Sequence, residues 1–214
     1  MASGRKAFDR YGPGAGVYDL LSFERSLYRA PRRRGIDLLT LRPGETVLDV
    51  GCGTGLSLPW LQAAVGASGR IIGMDASATM LDAASRRTRR HRWSNVRLIH
   101  AVAEQLSDAL STHGIDPSTV DGVLAAYSLS VMAGWDQAWR QVTSLGSGTR
   151  VAVVDLGLAT GAGAVLNPFW KLLCALGGSD PTRAPDRRAA RDLVGVRRER
   201  WLGGHVTVVE GDLR

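Results

Sequence analysis

The sequence predicts an α/β protein built on a doubly wound, mostly parallel β-sheet. Three observations carry that expectation. Short apolar runs rich in β-branched residues alternate along the chain with amphipathic segments of helical period. The stretch "LDVGCGTGLSLP" sets Gly51, Gly53 and Gly55 between the first of these runs and a helix-like segment. Near the end, two extended runs flank Gly203-Gly204, a dipeptide suited to a tight hairpin, so the sheet is expected to finish in an antiparallel strand. Strands alternating with helices require a sheet covered on both faces.

The elements follow in order. Residues 1–16 are polar and Gly-rich. From Val17 a helical period places Val17, Leu20, Leu21, Leu27 and Tyr28 on one face, and Pro31 opens a second helix with Ile36, Leu38 and Leu39 apolar. "RPGE" at 42–45 is a turn. "TVLDV" at 46–50 is a strand, and 56–65 a helix that tolerates Pro59 in its first turn. "RIIGMD" at 70–75 is the second strand, followed by a helix from Ser77 to about Arg90 that carries Met80, Leu81 and Ala84 inward. "VRLIHA" at 96–101, "VDGVLAAYSL" at 120–129 and "TRVAVVDL" at 149–156 are further strands, with a helix over 135–145. "GVRRERWL" and "HVTVVEG" form the closing pair. No internal repeat or linker interrupts the 214 residues, so the whole chain, 1–214, reads as one domain.

Composition excludes some classes and leaves others open. The chain is 44% hydrophobic and 22% charged, which is ordinary for a globular protein. It has no apolar run of about 18 residues, and its first residues lack the apolar core of a signal peptide, so a cytoplasmic location is expected. Cys52 and Cys174 make neither a disulfide framework nor a metal-ligand pattern. The net charge of +7 raises nucleic acid or an anionic membrane surface as partners. Lys6 and Lys171 are the only lysines, and the arginines cluster at 32–34, 86–92, 187–191 and 197–200. Aromatic residues do not alternate with these clusters as a stacking platform requires. A basic face that is either solvated or weakly attracted to an anionic membrane is therefore expected, without an obligatory nucleic acid.

Three glycines in five residues mark a backbone that turns tightly and lets a ligand come close. In an open parallel sheet such ligands bind beyond the carboxyl ends of the strands, where the strand order reverses. The following helix offers unpaired N–H groups. The spacing is G-x-G-x-G, and Leu56 stands where a dinucleotide fingerprint has its third glycine. Asp49, two residues before Gly51, suits a cationic group on the ligand. Asp75 ends the second strand about twenty residues past the loop, where a carboxylate can accept from both ribose hydroxyls. An ammonium-bearing nucleoside without phosphates fits, and S-adenosylmethionine is the common molecule of that description.

"VLDVGCGTG" followed by "IIGMDASATML" resembles the class I S-adenosylmethionine-dependent methyltransferases, from about Thr46 to Leu156. The resemblance implies a seven-stranded Rossmann-like fold with a C-terminal hairpin strand. It implies that Asp49 and the loop Gly51, Cys52, Gly53, Thr54 and Gly55 hold the methionine moiety, that Asp75 holds the ribose, and that Ala76 and Met80 pack near the adenine. The family often has an acid after the third strand; Val102 stands there, and Ala103 or Glu104 is the expected substitute. "LAAYSLS" at 124–130 matches the segment beside the reactive methyl group, which puts Tyr127 in the wall of that site. "YGPGAGVYDLLSFERSLYRAPRRR" resembles the lid of quinone and phospholipid methyltransferases, so residues 1–41 are expected as N-terminal lid helices over a catalytic core at 42–214, with Tyr18 at the acceptor. Phe169 and Trp170, with Leu172 and Leu173, are candidates for an apolar acceptor pocket.

Methyl transfer from a sulfonium is an in-line displacement, so the protein mainly aligns the reactants and excludes water. His91, His100 and His113 read as solvated or structural, and His205 as the residue that opens the last strand, with substrate contact only its minor reading. No general base stands out, and the catalytic residues stay unassigned. Cys52 reads as a filler. The expected acceptor is a small molecule or lipid; the acceptor atom and the oligomeric state are not encoded. A non-catalytic S-adenosylmethionine-binding protein, an RNA methyltransferase and a nicotinamide oxidoreductase remain as alternatives, the last opposed by the missing third glycine.

Overall fold

The computed structural model describes residues 27–214. Its single sheet has seven strands in the order β3-β2-β1-β4-β5-β7-β6. The parallel strands are β1 (Thr46–Val50), β2 (Arg70–Asp75), β3 (Val96–His100), β4 (Gly122–Ala126) and β5 (Arg150–Leu156). β7 (Val206–Asp212) runs antiparallel to β5, and β6 (Val194–Trp201) antiparallel to β7. β1 lies between β2 and β4, so the winding reverses there, and the carboxyl ends of β1 and β4 open a crevice.

Among the described residues seven α-helices cover the sheet: α1 (Arg29–Leu38), α2 (Leu58–Val65), α3 (Ala78–His91), α4 (Leu106–Thr112), α5 (Trp135–Thr143), α6 (Asn167–Gly177) and α7 (Pro185–Asp192). Side chains alternate across each strand, and the alternation divides the core. Val47, Leu124, Val154 and Val208 join Ile36 of α1, Leu58 and Leu61 of α2, Ala84 of α3 and Cys174 of α6. Leu48, Val50, Val123, Val153 and Val209 join Leu106 and Leu110 of α4, Trp139 and Val142 of α5 and Ala189 of α7. Asp49, two residues after Val47, shares the face of α1 and α2. Each fully buried Leu, Ile or Val contributes about 1.5–3 kcal/mol, and both layers are dense with them.

The α1 helix is a layer of this core. A Cβ on Gly35 would stand 2.4 Å from Val154 Cγ2, so glycine lets the helix lie directly on the sheet. Ile36, Leu38 and Leu39 are buried there. Among the described residues of the segment expected as a lid, α1 covers the sheet and its start, at Tyr28 and Arg32, reaches the crevice. The helix expected from Val17, together with Tyr18, lies outside the described residues.

Several boundaries differ from expectation. β4 ends at Ala126, short of residue 129, because Tyr127 turns to a left-handed φ of 57°. The glycine loop extends to Ser57, so α2 starts at Leu58. β6 and β7 are joined through a 3₁₀ turn at Leu202–Gly204, in a register that pairs Trp201 with Val206. The expected two-residue turn is lengthened because His205 is drawn inward, its Nδ1 3.0 Å from the Gly157 carbonyl.

Several arginines of the basic clusters are paired. Arg34 binds Glu199, Arg197 binds Glu210, Arg198 binds Asp186, and Arg188 binds both Asp136 and Asp192. Arg86, Arg89, Arg90 and Arg92 are exposed on and just after α3. Arg32, expected on the solvated face, is instead buried. Among the described residues, no helix is long and apolar enough to cross a membrane, and no group of three His, Cys, Asp or Glu could hold a metal ion.

Candidate functional site

The loop after β1 folds back on β2. The Gly51 and Cys52 amides both donate to the Met74 carbonyl, at 2.8 and 2.9 Å. Gly51, Gly53 and Gly55 have φ of 71°, 55° and 78°, a region that side chains rarely adopt. Gly51 and Gly55 also answer to space, a Cβ on Gly55 standing 2.6 Å from Leu58 Cδ1. A Cβ on Gly51 would stand 2.5 Å from Ser128 Cβ, whereas one on Gly53 would meet nothing within 4 Å. The loop is therefore clamped at Gly51 against the segment after β4 and bare at Gly53. Cys52 is buried, with Sγ 3.1 Å from where a Gly73 Cβ would be, and fills the gap between loop and β2. Thr54 is buried beside it.

Two carboxylates frame this cradle. Asp75 Oδ2 accepts from the Gly53 amide at 2.8 Å, and Oδ1 accepts from the Ser77 amide at 2.9 Å. Burial raises its carboxyl pKa, and these amides pull it back. Asp49 is 1% exposed, and among the described residues its Oδ2 has no hydrogen-bond partner. Burial pushes Asp49 up to about 7, the Arg32 guanidinium and a hydrogen bond with Ser57 oppose this, and the negative charge of Asp75 adds to it. The charge of Asp75 is thus felt at Asp49.

Arg32 is the residue that sequence reasoning missed here. Its Nη1 donates to Ser57 Oγ at 3.3 Å, and its guanidinium stands 4.9 Å from the centre of the Tyr127 ring. Tyr127 forms the other flank. Its left-handed backbone is held by its amide donating to the Val154 carbonyl at 2.7 Å and by its hydroxyl donating to the Tyr28 carbonyl at 2.9 Å. A non-glycine residue in this conformation costs roughly 1–3 kcal/mol, and such strain concentrates at functional positions.

A row of rings runs on from Tyr127. Tyr28 lies 5.2 Å from it, and the Tyr28 hydroxyl is 3.1 Å from His205 Nε2. Trp170 stacks on His205 with centroids 4.0 Å apart. Trp170 is buried and its indole N–H has no partner among the described residues, while Phe169, next to it, is 51% exposed. The expected pocket pair thus separates into a buried Trp170 and an outer Phe169, beside exposed Val165, Leu166 and Leu172.

The remaining expected residues take the following places. Met80 is buried, and its amide donates to Ser77 Oγ at the start of α3. The Ala76 carbonyl accepts from His100 Nε2 at 2.9 Å. Ala103 packs into the core beneath α4 and α5, and Glu104 turns its carboxylate to Gly134 at the start of α5. The structure brings Asp49, the loop, Asp75, Ala76, Met80 and Tyr127 to the carboxyl ends of β1, β2 and β4.

Comparison with known proteins gives this arrangement a context. A family model described as a methyltransferase domain matches residues 47–145. The 2-phytyl-1,4-naphtoquinone methyltransferase of Thermosynechococcus vestitus is 30% identical over 158 residues, covering 72% of this chain and 65% of that protein. An uncharacterized 37.1 kDa protein in transposon TN4556 of Streptomyces fradiae is 53% identical over 53 residues, covering 25% of this chain and 15% of that protein. The chain thus spans less than two thirds of the length of either curated relative. In fold it is similar to the geranyl diphosphate C-methyltransferase of Streptomyces coelicolor, solved in complex with S-adenosyl-L-homocysteine, with a TM-score of 0.68 at 16% identity over 87% of this chain and 79% of that one.

Proposed function

We propose that this chain is a class I S-adenosylmethionine-dependent methyltransferase, a reading supported by its match to a methyltransferase domain over residues 47–145, and that it transfers a methyl group from S-adenosylmethionine to a small or lipid-like acceptor by in-line displacement. One observation carries the reading: a bare Gly53 backbone is held on Asp75, at the end of the strand that carries an Asp49 whose Oδ2 is buried with no hydrogen-bond partner among the described residues. An unsatisfied buried acceptor costs about 1–3 kcal/mol, and more if charged. Such groups are tolerated where a ligand completes them.

The residues present fit the nucleoside. Asp49 is placed to hold an ammonium group, and Arg32 beside it to face a carboxylate. Asp75 keeps a lone pair on each oxygen for the ribose hydroxyls. Ala76 and Met80 stand on the adenine side, and Cys52, Thr54 and Gly55 keep the loop in shape. S-adenosylmethionine supplies a methyl group already activated on a sulfonium. The chain's own work is then to align the acceptor and keep water out, and alignment of this kind is worth roughly 7–11 kcal/mol of barrier.

The acceptor side is aromatic and apolar. Tyr127, Tyr28, His205, Trp170 and Phe169 form a continuous row ending at exposed Leu166 and Leu172. This favours a flat ring, with an apolar tail on the outer side, and a naphthoquinone appears in the name of one relative. Calorimetry with S-adenosylmethionine, S-adenosylhomocysteine and NADH tests the cofactor. Binding of the first two and none of NADH is expected; NADH binding without the sulfonium would overturn the reading. A methyl-release assay across quinols, aminolipids, phenols and tRNA then sorts the acceptor.

A further inference from the structure

We infer that Tyr28 and His205 form a proton relay that takes the hydroxyl proton of a phenol-like acceptor, an inference that rests on the methyltransferase reading but is tested apart from it. The pair joins the start of α1 to the start of β7. Its chemistry follows from which ring nitrogen carries hydrogen. His205 Nδ1 lies 3.0 Å from the Gly157 carbonyl oxygen, which can only accept. Nδ1 therefore carries the hydrogen and donates it, and Nε2 presents a lone pair. The Tyr28 hydroxyl, 3.1 Å from Nε2, must donate to it.

The surroundings hold the imidazole ready as a base. Its ring is fixed between the Gly157 carbonyl and the Trp170 face, 4.0 Å away at 9°. His205 is 0% exposed, and burial lowers its pKa, so it is neutral before any transfer. Tyr28, by contrast, is only half-buried. A group in the crevice therefore reaches the imidazole through the phenolic oxygen. That phenol lies beside Tyr127, whose strained backbone leads directly into the Ser128 contact with the glycine loop. The Trp170 indole N–H, buried and without a partner among the described residues, adds an unsatisfied donor to the same group of rings. A neutral amine acceptor needs no such base; a hydroxyl does.

The transfer balances as follows. The acceptor's O–H bond breaks and its proton goes to the Tyr28 oxygen. The proton of Tyr28 moves to His205 Nε2. The acceptor is left as an oxyanion, the nucleophile that a displacement requires, and His205 as an imidazolium that later returns its proton through Tyr28 to water.

The test uses 4-nitrophenol, whose anion alone absorbs strongly in the visible. The full chain, with and without S-adenosylhomocysteine, is titrated with the probe where the free phenol is mostly protonated. The wild-type protein is expected to bind it and raise the anion-to-phenol ratio by about tenfold, since a nearby base stabilises the ionised pair. Tyr28→Phe keeps the ring and should abolish the shift. His205→Asn keeps a donor for the Gly157 carbonyl and removes Nε2, and should do the same. S-adenosylhomocysteine affinity should stay unchanged in both. Absence of probe binding, an unshifted ratio in the wild-type protein, or a shift that survives Tyr28→Phe would overturn the relay. Should His205→Asn fail to fold, Tyr28→Phe decides alone. Loss of S-adenosylhomocysteine binding in the wild-type protein would strike the methyltransferase reading instead.

Discussion

Replacing Asp49 with Asn should stabilise the free protein while weakening its hold on the cofactor. The carboxyl is buried, and its pKa is pushed from 3.8 to about 7 because the ionised form has lost its water. Each tenfold change in proton affinity is worth about 1.4 kcal/mol, so keeping Asp49 ionised in the folded state well above pH 7 costs up to about 4 kcal/mol. The sign follows from proton counts. The folded-state pKa is raised, so between about pH 4 and pH 7 the folded protein binds more protons than the unfolded chain. The stability linked to this group is fully present at pH 4 and is lost as pH rises through 7. Asn keeps the shape without the charge. Urea unfolding of both proteins from pH 4.5 to pH 8 should therefore show a gap that is small at acid pH and grows in favour of Asp49→Asn. Calorimetry at pH 7.5 should show S-adenosylmethionine bound about ten- to a hundredfold more weakly by the variant, since a hydrogen bond to a charged group is worth about 1.5–3 kcal/mol. A variant that is less stable at pH 8, or a gap that does not change with pH, would refute the idea of a buried carboxylate with one oxygen kept for a ligand.

Other perturbations separate fold from site. Gly53→Ala places its methyl in open space, so unfolding should shift only by the strain of a positive φ, roughly 1–2 kcal/mol, while cofactor affinity falls at least tenfold on calorimetry. Gly35→Ala does the reverse: its methyl meets Val154 at 2.4 Å, and denaturant unfolding should register a loss of about 1–3 kcal/mol without direct effect on the cradle. Asp75→Asn replaces one acceptor oxygen with a donor between the Gly53 and Ser77 amides, and should weaken S-adenosylmethionine by about 1–3 kcal/mol; an unchanged dissociation constant would remove Asp75 from the ribose role.

What the sequence discloses, and what it hides, follows from the range of the interactions. The glycine loop after the first strand and the inward set Met80, Leu81 and Ala84 are set by residue type or helical period within a few residues, and they stand as the sequence predicts. The Tyr28–His205 bond spans 177 residues of chain, and it exists only because α1 lies across β5 and β7. No local period encodes how a helix is laid on a sheet. Arg32 was hidden by its company. It reads as one of three consecutive arginines, although Arg32, Gly35, Ile36 and Leu39 share the spacing of one buried helical face. Tyr127 carries no glycine or asparagine to announce a left-handed turn. These two residues break local rules side by side: a charge on an apolar face stands over a tyrosine in a strained backbone. Stability alone would favour an apolar residue at position 32 and glycine at 127. That both departures meet where the cradle opens is what selection for binding a charged ligand, rather than for folding, would leave behind.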